Sequence, residues 1–207
     1  MIIAIDGPSA AGKGTIARAI AQRLGYHFLD TGSLYRMVGL EMLRQGKGAD
    51  AAAAAAIAAK LEPSTYQDAT LRSEDVAAMA SQVAAFPSVR TALLQFQRDF
   101  ARRPPGAVLD GRDIGTVVCP DADIKLFVTA SSEVRARRRL DELRSLGKAV
   151  TFEEVFADIQ ARDARDQSRS IAPTRPAEDA ILIDTSELDR EEVLKAVMDI
   201  VREQQSS

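Results

Sequence analysis

The segment Gly7-Pro8-Ser9-Ala10-Ala11-Gly12-Lys13-Gly14-Thr15 constrains this chain more than any other, because few folds can surround it. Residues 2–5 before it are an apolar run ending in Asp6-Gly7, which reads as a buried strand. After it, Ile16, Ile20 and Leu24 recur at helical spacing, and Gly25 supplies the stop. Strand, glycine-rich loop and amphipathic helix in that order make a cradle for phosphate. The glycines permit backbone shapes in which successive N–H groups point inward, and the helix N-terminus adds partial positive charge. Lys13 would reach the β- and γ-phosphates of a nucleoside triphosphate, and Thr15 would offer its hydroxyl toward the metal region. The Ser or Thr that usually follows the lysine directly is displaced one place by Gly14.

The rest of the chain alternates strands and helices, which indicates a parallel sheet with helices packed on it. A second strand is expected over residues 26–29, followed by a turn at Asp30-Thr31-Gly32. Ser33 is then the expected N-cap of a helix carrying Leu34, Met37, Val38 and Met42. From residue 46 to about 105 no strand is expected. Asp50 caps an alanine-rich helix to about Lys60, and residues 73–85 and 88–101 read as two more. Strands return at residues 107–110 and 124–129. Ser131 opens a charged helix to about Leu146. Thr151-Phe152-Glu153-Glu154 forms a capping box for another helix, to about Ser168. Residues 180–184 are the last strand, and 189–204 an amphipathic C-terminal helix.

Composition excludes several classes of function. A formal net charge of −3 argues against non-specific binding to a nucleic-acid polymer or an anionic membrane. A single cysteine, Cys119, and a single histidine, His27, leave no disulfide framework and no multi-histidine metal centre. Cys119 is expected to be a buried small residue and His27 to pack within its strand. No apolar run reaches the roughly 20 residues that span a bilayer, so a cytoplasmic protein is expected. The cations are very uneven, 21 arginines against six lysines. GC-rich codons explain much of that, since alanine is abundant too; the bias carries function only where arginines converge on one anion.

Three segments offer such convergence. In Asp30-Thr31-Gly32-Ser33-Leu34-Tyr35-Arg36, expected beside the phosphate loop at the carboxyl edge of the sheet, Thr31 and Ser33 can hydrogen-bond, Tyr35 can stack, and Arg36 can grip a phosphate with a planar fork. After the strand at 107–110, Asp110 is placed to interact with Mg²⁺ or its waters. Arg112 could hold a phosphate, and Asp113 could hydrogen-bond a sugar or base edge. Arg162, Arg165, Asp166 and Arg169 recur at i, i+3, i+4 and i+7, a stripe that suits a transferring phosphate. Arg135, Arg138 and Arg139 also share a helix face, but acidic neighbours make a solvated face sufficient for most of them.

Together these residues resemble the bacterial cytidylate kinases, within the nucleoside monophosphate kinases. The matching stretches are IDGPSAAGKGT (5–15), LDTGSLYR (29–36), SQVAAFPSVR (81–90), LDGRDIGTVVCPDAD (109–123) and ARDARDQSRSIAP (161–173). The resemblance implies an α/β P-loop NTPase fold, a parallel sheet flanked by helices with a helical nucleotide-binding insertion and an arginine-rich helical lid. It implies one domain, with its core at 1–36, 106–143 and 173–207, the insertion at about 37–105 and the lid at about 144–172. By resemblance, residues 7–15 bind ATP, and Lys13, Arg162 and Arg165 act on the transferring group. Thr31, Tyr35, Arg36, Arg90, Arg112, Asp113, Asp166 and Arg169 surround CMP or dCMP. Arg90 gains its role only from the family. Mg²⁺ would lie near Thr15 and Asp110 through water, and the enzyme would act as a monomer. One departure stands out: residues 61–76 are too short for the small antiparallel sheet that many members carry in the insertion.

Two other readings remain at this level. A kinase for UMP, AMP or a non-nucleotide acid would share the same loop. A nucleotide switch would too, but the chain has no Asn-Lys-x-Asp guanine-reading motif.

Overall fold

In the computed structural model, which describes residues 1–66, 68–169 and 171–206, the chain divides into two compact units, Met1–Leu29 with Ala101–Ser207, and Asp30–Phe100. The strands are β1 (Ile2–Asp6), β2 (His27–Asp30), β3 (Ala107–Asp110), β4 (Ile124–Thr129) and β5 (Ile181–Asp184). The helices are α1 (Lys13–Leu24), α2 (Thr31–Arg44), α3 (Ala51–Ala59), α4 (Glu74–Val83), α5 (Pro87–Ala101), α6 (Ser132–Ser145), α7 (Phe152–Gln167) and α8 (Arg190–Ser206).

The first unit is built on the sheet, ordered β2-β3-β1-β4-β5. β1 pairs in parallel with β3 and β4, and β4 with β5. Ile3, Ala4 and Ile5 are wholly buried, as the central strand of a sheet covered on both faces requires. In that order β3 rather than β2 borders β1. The residues match these places: β3 opens on apolar Ala107-Val108-Leu109 and is buried throughout, whereas edge strand β2 has His27 exposed and Phe28 half-exposed. His27 therefore does not pack inside its strand as expected; its Nε2 lies 3.0 Å from the Pro104 carbonyl at the surface. Cys119 is buried.

Helix α1 ends where expected, at a left-handed Gly25 with φ 67°. Its Ile16, Ala17, Ile20 and Ala21 meet Val193, Leu194, Val197 and Val201 of α8 around β1 and β4. Each buried isoleucine, leucine or valine among them contributes about 1.5–3 kcal/mol, and each alanine methyl less. Helices α6 and α7 form a hairpin with its own small core, in which Ala136, Leu140 and Leu143 pack on Val155 and Ile159. The Thr151 capping box is present: Glu154 N donates to Thr151 Oγ1 at 3.2 Å and Thr151 N donates to Glu154 Oε2 at 2.8 Å.

The second unit contains α2 to α5 and two 3₁₀ turns, Pro63–Thr65 and Asp68–Arg72, with no strand of its own among the described residues beyond the end of β2. Asp30, not Ser33, caps α2. The Asp30 carboxylate accepts from Ser33 N at 3.2 Å, and the Ser33 hydroxyl donates back to the Asp30 carbonyl, so the helix begins at Thr31. Two residues able to cap stood three apart, and the earlier carboxylate took the orphan N–H. Gly39 lets α2 approach α4 closely, because a Cβ there would lie 3.0 Å from Ala80 N. Only Ala54 and Ala58 of α3 are buried, in keeping with a peripheral helix.

Candidate active site

The phosphate loop takes its shape from positions where the chain needs unusual backbone angles. Gly7 has φ +143°, and a Cβ there would collide with the Val128 carbonyl oxygen, so no side chain fits. Gly12, with φ 88°, turns the chain into α1. Lys13 folds back over the loop: its Nζ donates to the Pro8 carbonyl at 2.8 Å and lies 3.9 Å from Asp110 Oδ1. Burial, then the nearby Arg112 guanidinium, pulls the Lys13 ammonium down to about 7; Asp110 and Asp6 oppose the shift and Arg162 adds to it. Ser9 Oγ is buried with no protein hydrogen-bond partner, and Thr15 is exposed. Next to the loop, Gly12, Thr15, Arg138, Thr185 and Val193 line a cleft of about 260 Å³.

Asp110, Arg112 and Asp113 leave the carboxyl end of β3, the edge from which the phosphate loop also leaves β1. Asp110 and Asp113 are buried. After Asp113 the chain makes a π-helical turn, Ile114–Val118, which the sequence did not announce. Asp6 accepts from Ile114 N at 2.8 Å and Gly115 N at 2.7 Å. Burial pushes its carboxyl up to about 7, against the pull of those two N–H groups; Asp113 adds to the rise and Lys13 opposes it.

The arginine stripe is rearranged. Helix α7 ends at Gln167, so Arg169 lies beyond its Ser168 cap rather than one turn further along the helix. Arg169 still reaches Asp166, at 2.5 Å, while Arg112 Nε donates to the other Asp166 oxygen at 3.1 Å. Burial alone would raise the Asp166 carboxyl, but Arg112, Arg169 and Arg162 together hold it below the usual carboxylate range. Asp166 is thus the buried anchor of a cation cluster, and Arg165 is exposed.

Arg135 departs most from expectation. Far from a solvated face, it is 4% exposed. It forms a two-pronged pair with Asp163 at 3.1 and 2.6 Å, and donates to the carbonyls of Ser9 at 3.2 Å and Ala130 at 3.0 Å. It therefore ties the phosphate loop to α7. Arg138 donates to Thr185 Oγ1 at 2.9 Å and to the Thr185 carbonyl at 2.6 Å. Arg139 alone behaves as a surface residue, paired with Glu142. One signal was available: Val155, Ile159 and Asp163 recur at i, i+4 and i+8, so an aspartate continues an apolar stripe.

In the second unit, Arg36 pairs with Asp30 at 2.5 Å, and Thr31 is buried. The Arg90 guanidinium sits 5.6 Å from the Tyr35 ring centroid while its Nε donates to the Ala84 carbonyl at 2.8 Å. Tyr35 and Arg90, 55 positions apart, are thereby brought together. Among the described residues no group of three or more His, Cys, Asp or Glu could enclose a metal ion. Nor is any helix among them long and apolar enough to cross a membrane.

The family model described as "Cytidylate kinase" matches residues 3–203. A curated cytidylate kinase from Rhodospirillum rubrum is 54% identical over 206 residues, covering 97% of both chains. One from Methylocella silvestris is 54% identical over 202 residues, covering 97% of this chain and 94% of the other. Among solved structures, a protein from Thermus thermophilus matches with a TM-score of 0.50 at 21% identity, over 98% of this chain and 97% of that one. An uncharacterized protein from Eubacterium ventriosum matches with a TM-score of 0.55 at 14% identity, over 100% and 99%. At those identities the structures support the fold alone.

Proposed function

The chain belongs to the cytidylate kinase family, and we propose that it moves the γ-phosphoryl group of ATP directly onto the phosphate of CMP or dCMP, with the residues described above in the roles that follow. ATP-dependent phosphorylation of CMP and dCMP is the family's reaction. The observation that carries the assignment of roles is Lys13, a buried cation turned over the phosphate loop and flanked by Asp110.

Phosphoryl transfer leaves little covalent work to a protein, which positions groups and stabilises spread negative charge. Residues 7–15 bind the ATP phosphates through backbone N–H groups, with Ser9 Oγ as a further donor. Lys13 and the lid residues Arg162 and Arg165 contact the oxygens of the transferring group. Thr31, Tyr35, Arg36, Arg90, Arg112 and Asp113 hold the acceptor, and Asp166 with Arg169 helps fix its cytosine or sugar-phosphate. The attacking oxygen is already anionic, so Asp113 binds rather than acting as a base.

Mg²⁺ would enter with ATP. Isolated oxygen donors, with no acidic cage among the described residues, suit an ion that keeps most of its waters and binds phosphate oxygens. Thr15 and Asp110 would hold it through water, and it would neutralise charge on the phosphates. The single kinase domain divides into a core at 1–36, 106–143 and 173–207, an insertion at about 37–105 and a lid at about 144–172. The enzyme acts as a monomer in the cytoplasm on free nucleotides.

Two variants test the roles. Arg36→Ala is expected to raise the KM for CMP at least tenfold, roughly the loss of one charge-assisted contact, and to leave the KM for ATP nearly unchanged. Arg162→Ala is expected to lower kcat more than it raises either KM. Steady-state kinetics with each substrate varied reads both. Equal losses for the two substrates in Arg36→Ala would remove it from the acceptor site, and a pure KM effect in Arg162→Ala would remove it from the transition state.

A further inference from the structure

We propose that Asp6 is a positioning residue that holds the Arg112-Asp113 segment in fixed register with the phosphate loop. This rests on the reading of Arg112 and Asp113 as acceptor-binding groups, and Asp6 touches neither substrate in that reading.

Asp6 is the last residue of β1, 4% exposed, and Gly7 of the phosphate loop follows it directly. The β1–β3 ladder ends where Gly111 N donates to the Ile5 carbonyl at 2.9 Å. Beyond that point the chain carrying Arg112 and Asp113 has left the sheet. The Asp6 carboxylate then takes over the role of the ladder: Oδ1 accepts from Ile114 N and Oδ2 from Gly115 N, at 2.8 and 2.7 Å. Two consecutive N–H groups held by the two oxygens of one carboxylate fix the peptide planes just after Asp113. The turn that follows closes on the Asp113 carbonyl, which accepts from Val117 N at 2.9 Å and Val118 N at 3.1 Å. Arg112 and Asp113 thus lie between two fixed points, Gly111 on β1 and Ile114-Gly115 on the Asp6 side chain. Glycine at 115 also leaves room for the Lys125 side chain, since a Cβ there would lie 3.1 Å from Lys125 Cδ.

Stability alone does not call for a carboxylate here. The preceding four residues of β1 are apolar, and burying a carboxylate is costly unless it is paired. Lys13 and Asp113 are the charged groups that act on it, with opposite sign. What the carboxylate provides, and an apolar side chain cannot, is acceptance of two specific N–H groups 108 and 109 positions away.

Asp6→Asn tests this, because it keeps the shape while replacing one acceptor with a donor. The expected result is a KM for CMP raised roughly tenfold or more, with kcat and the KM for ATP changed by less than about threefold. Amide hydrogen exchange at Ile114 and Gly115 is expected to accelerate in the same variant. Should it not fold, Asp6→Ser, whose hydroxyl can still accept one of the two N–H groups, is expected to raise the KM for CMP selectively by a smaller factor. Equal rises in KM for CMP and ATP, or an unchanged KM for CMP, would overturn the proposal. Arg112→Ala runs beside it. If that variant raises the KM for CMP and Asp6→Asn does not, the positioning role alone fails; if Arg112→Ala also leaves it unchanged, the acceptor reading fails first.

Discussion

Replacing Lys13 with alanine is expected to lower kcat roughly 10²- to 10³-fold, the loss typical of removing one preorganised donor from a developing anionic charge. The KM for ATP should rise much less, because backbone N–H groups of the loop still bind the phosphates. A second consequence follows from burial. The Lys13 ammonium is pulled down to about 7 when no phosphate faces it. A bound triphosphate places negative charge beside it and favours the protonated form, so its pKa rises. Above pH 7 the free enzyme therefore holds part of its Lys13 neutral, and ATP binding should take up protons there. At pH 6 Lys13 is already charged and contributes almost none. Calorimetric titration of ATP at pH 8 in buffers of different ionisation heat reads the uptake directly. Lys13→Ala should abolish it; an uptake unchanged in that variant would assign the proton elsewhere.

Arg135→Ala is expected to destabilise the fold by about 3–5 kcal/mol, because it leaves the Asp163 carboxylate largely buried without its partner. For a chain of this size each kcal/mol lowers Tm by about 2–4 °C, so a fall on the order of 10 °C is expected. Arg139→Ala, four residues along the same helix, removes only an exposed pair with Glu142 and should cost less than about 1 kcal/mol. Removing Asp163 together with Arg135 should recover part of the loss, since the stranded charge goes with it. Thermal melts of the three variants decide the matter. Equal losses for Arg135→Ala and Arg139→Ala would mean that the buried pair has no special weight. Activity should also fall in Arg135→Ala, since the same side chain donates to the Ser9 carbonyl in the phosphate loop.

The parts of this fold written locally were legible. Strand, loop and helix around Lys13 follow from adjacent residues, as do β3, β4 and the Thr151 capping box. The bonds that assemble the site were not legible, for one physical reason: their partners are far apart in sequence. Asp6 meets Ile114 across 108 positions, Arg112 meets Asp166 across 54, and Arg135 meets Asp163 across 28. No periodicity within one element encodes such a partner. The π-helical turn after Asp113 belongs to the same class, since Asp6 and the Asp113 carbonyl brace it rather than any local preference. Arg135 looked like surface because its own helix is rich in charge; the clue lay on α7, where Asp163 continues an apolar stripe. Arg90 showed nothing in its own neighbourhood beyond a helix start, and only the family resemblance gave it a role. The arginine excess is thus of two kinds. Arg139 and Arg202 pair with acidic neighbours on the surface, whereas Arg112, Arg135 and Arg169 are held by buried or nearly buried carboxylates close to the phosphate loop and the end of β3.

Acceptor choice separates a cytidylate kinase from the other kinases that share its phosphate loop. ADP release should be measured with saturating Mg·ATP across CMP, dCMP, UMP, AMP, GMP and shikimate, with kcat/KM determined for each. The highest kcat/KM is expected for CMP and dCMP, with CDP or dCDP as the phosphorylated product and no covalent enzyme intermediate. A preference for AMP, GMP, UMP or shikimate over both cytidine nucleotides would contradict that expectation.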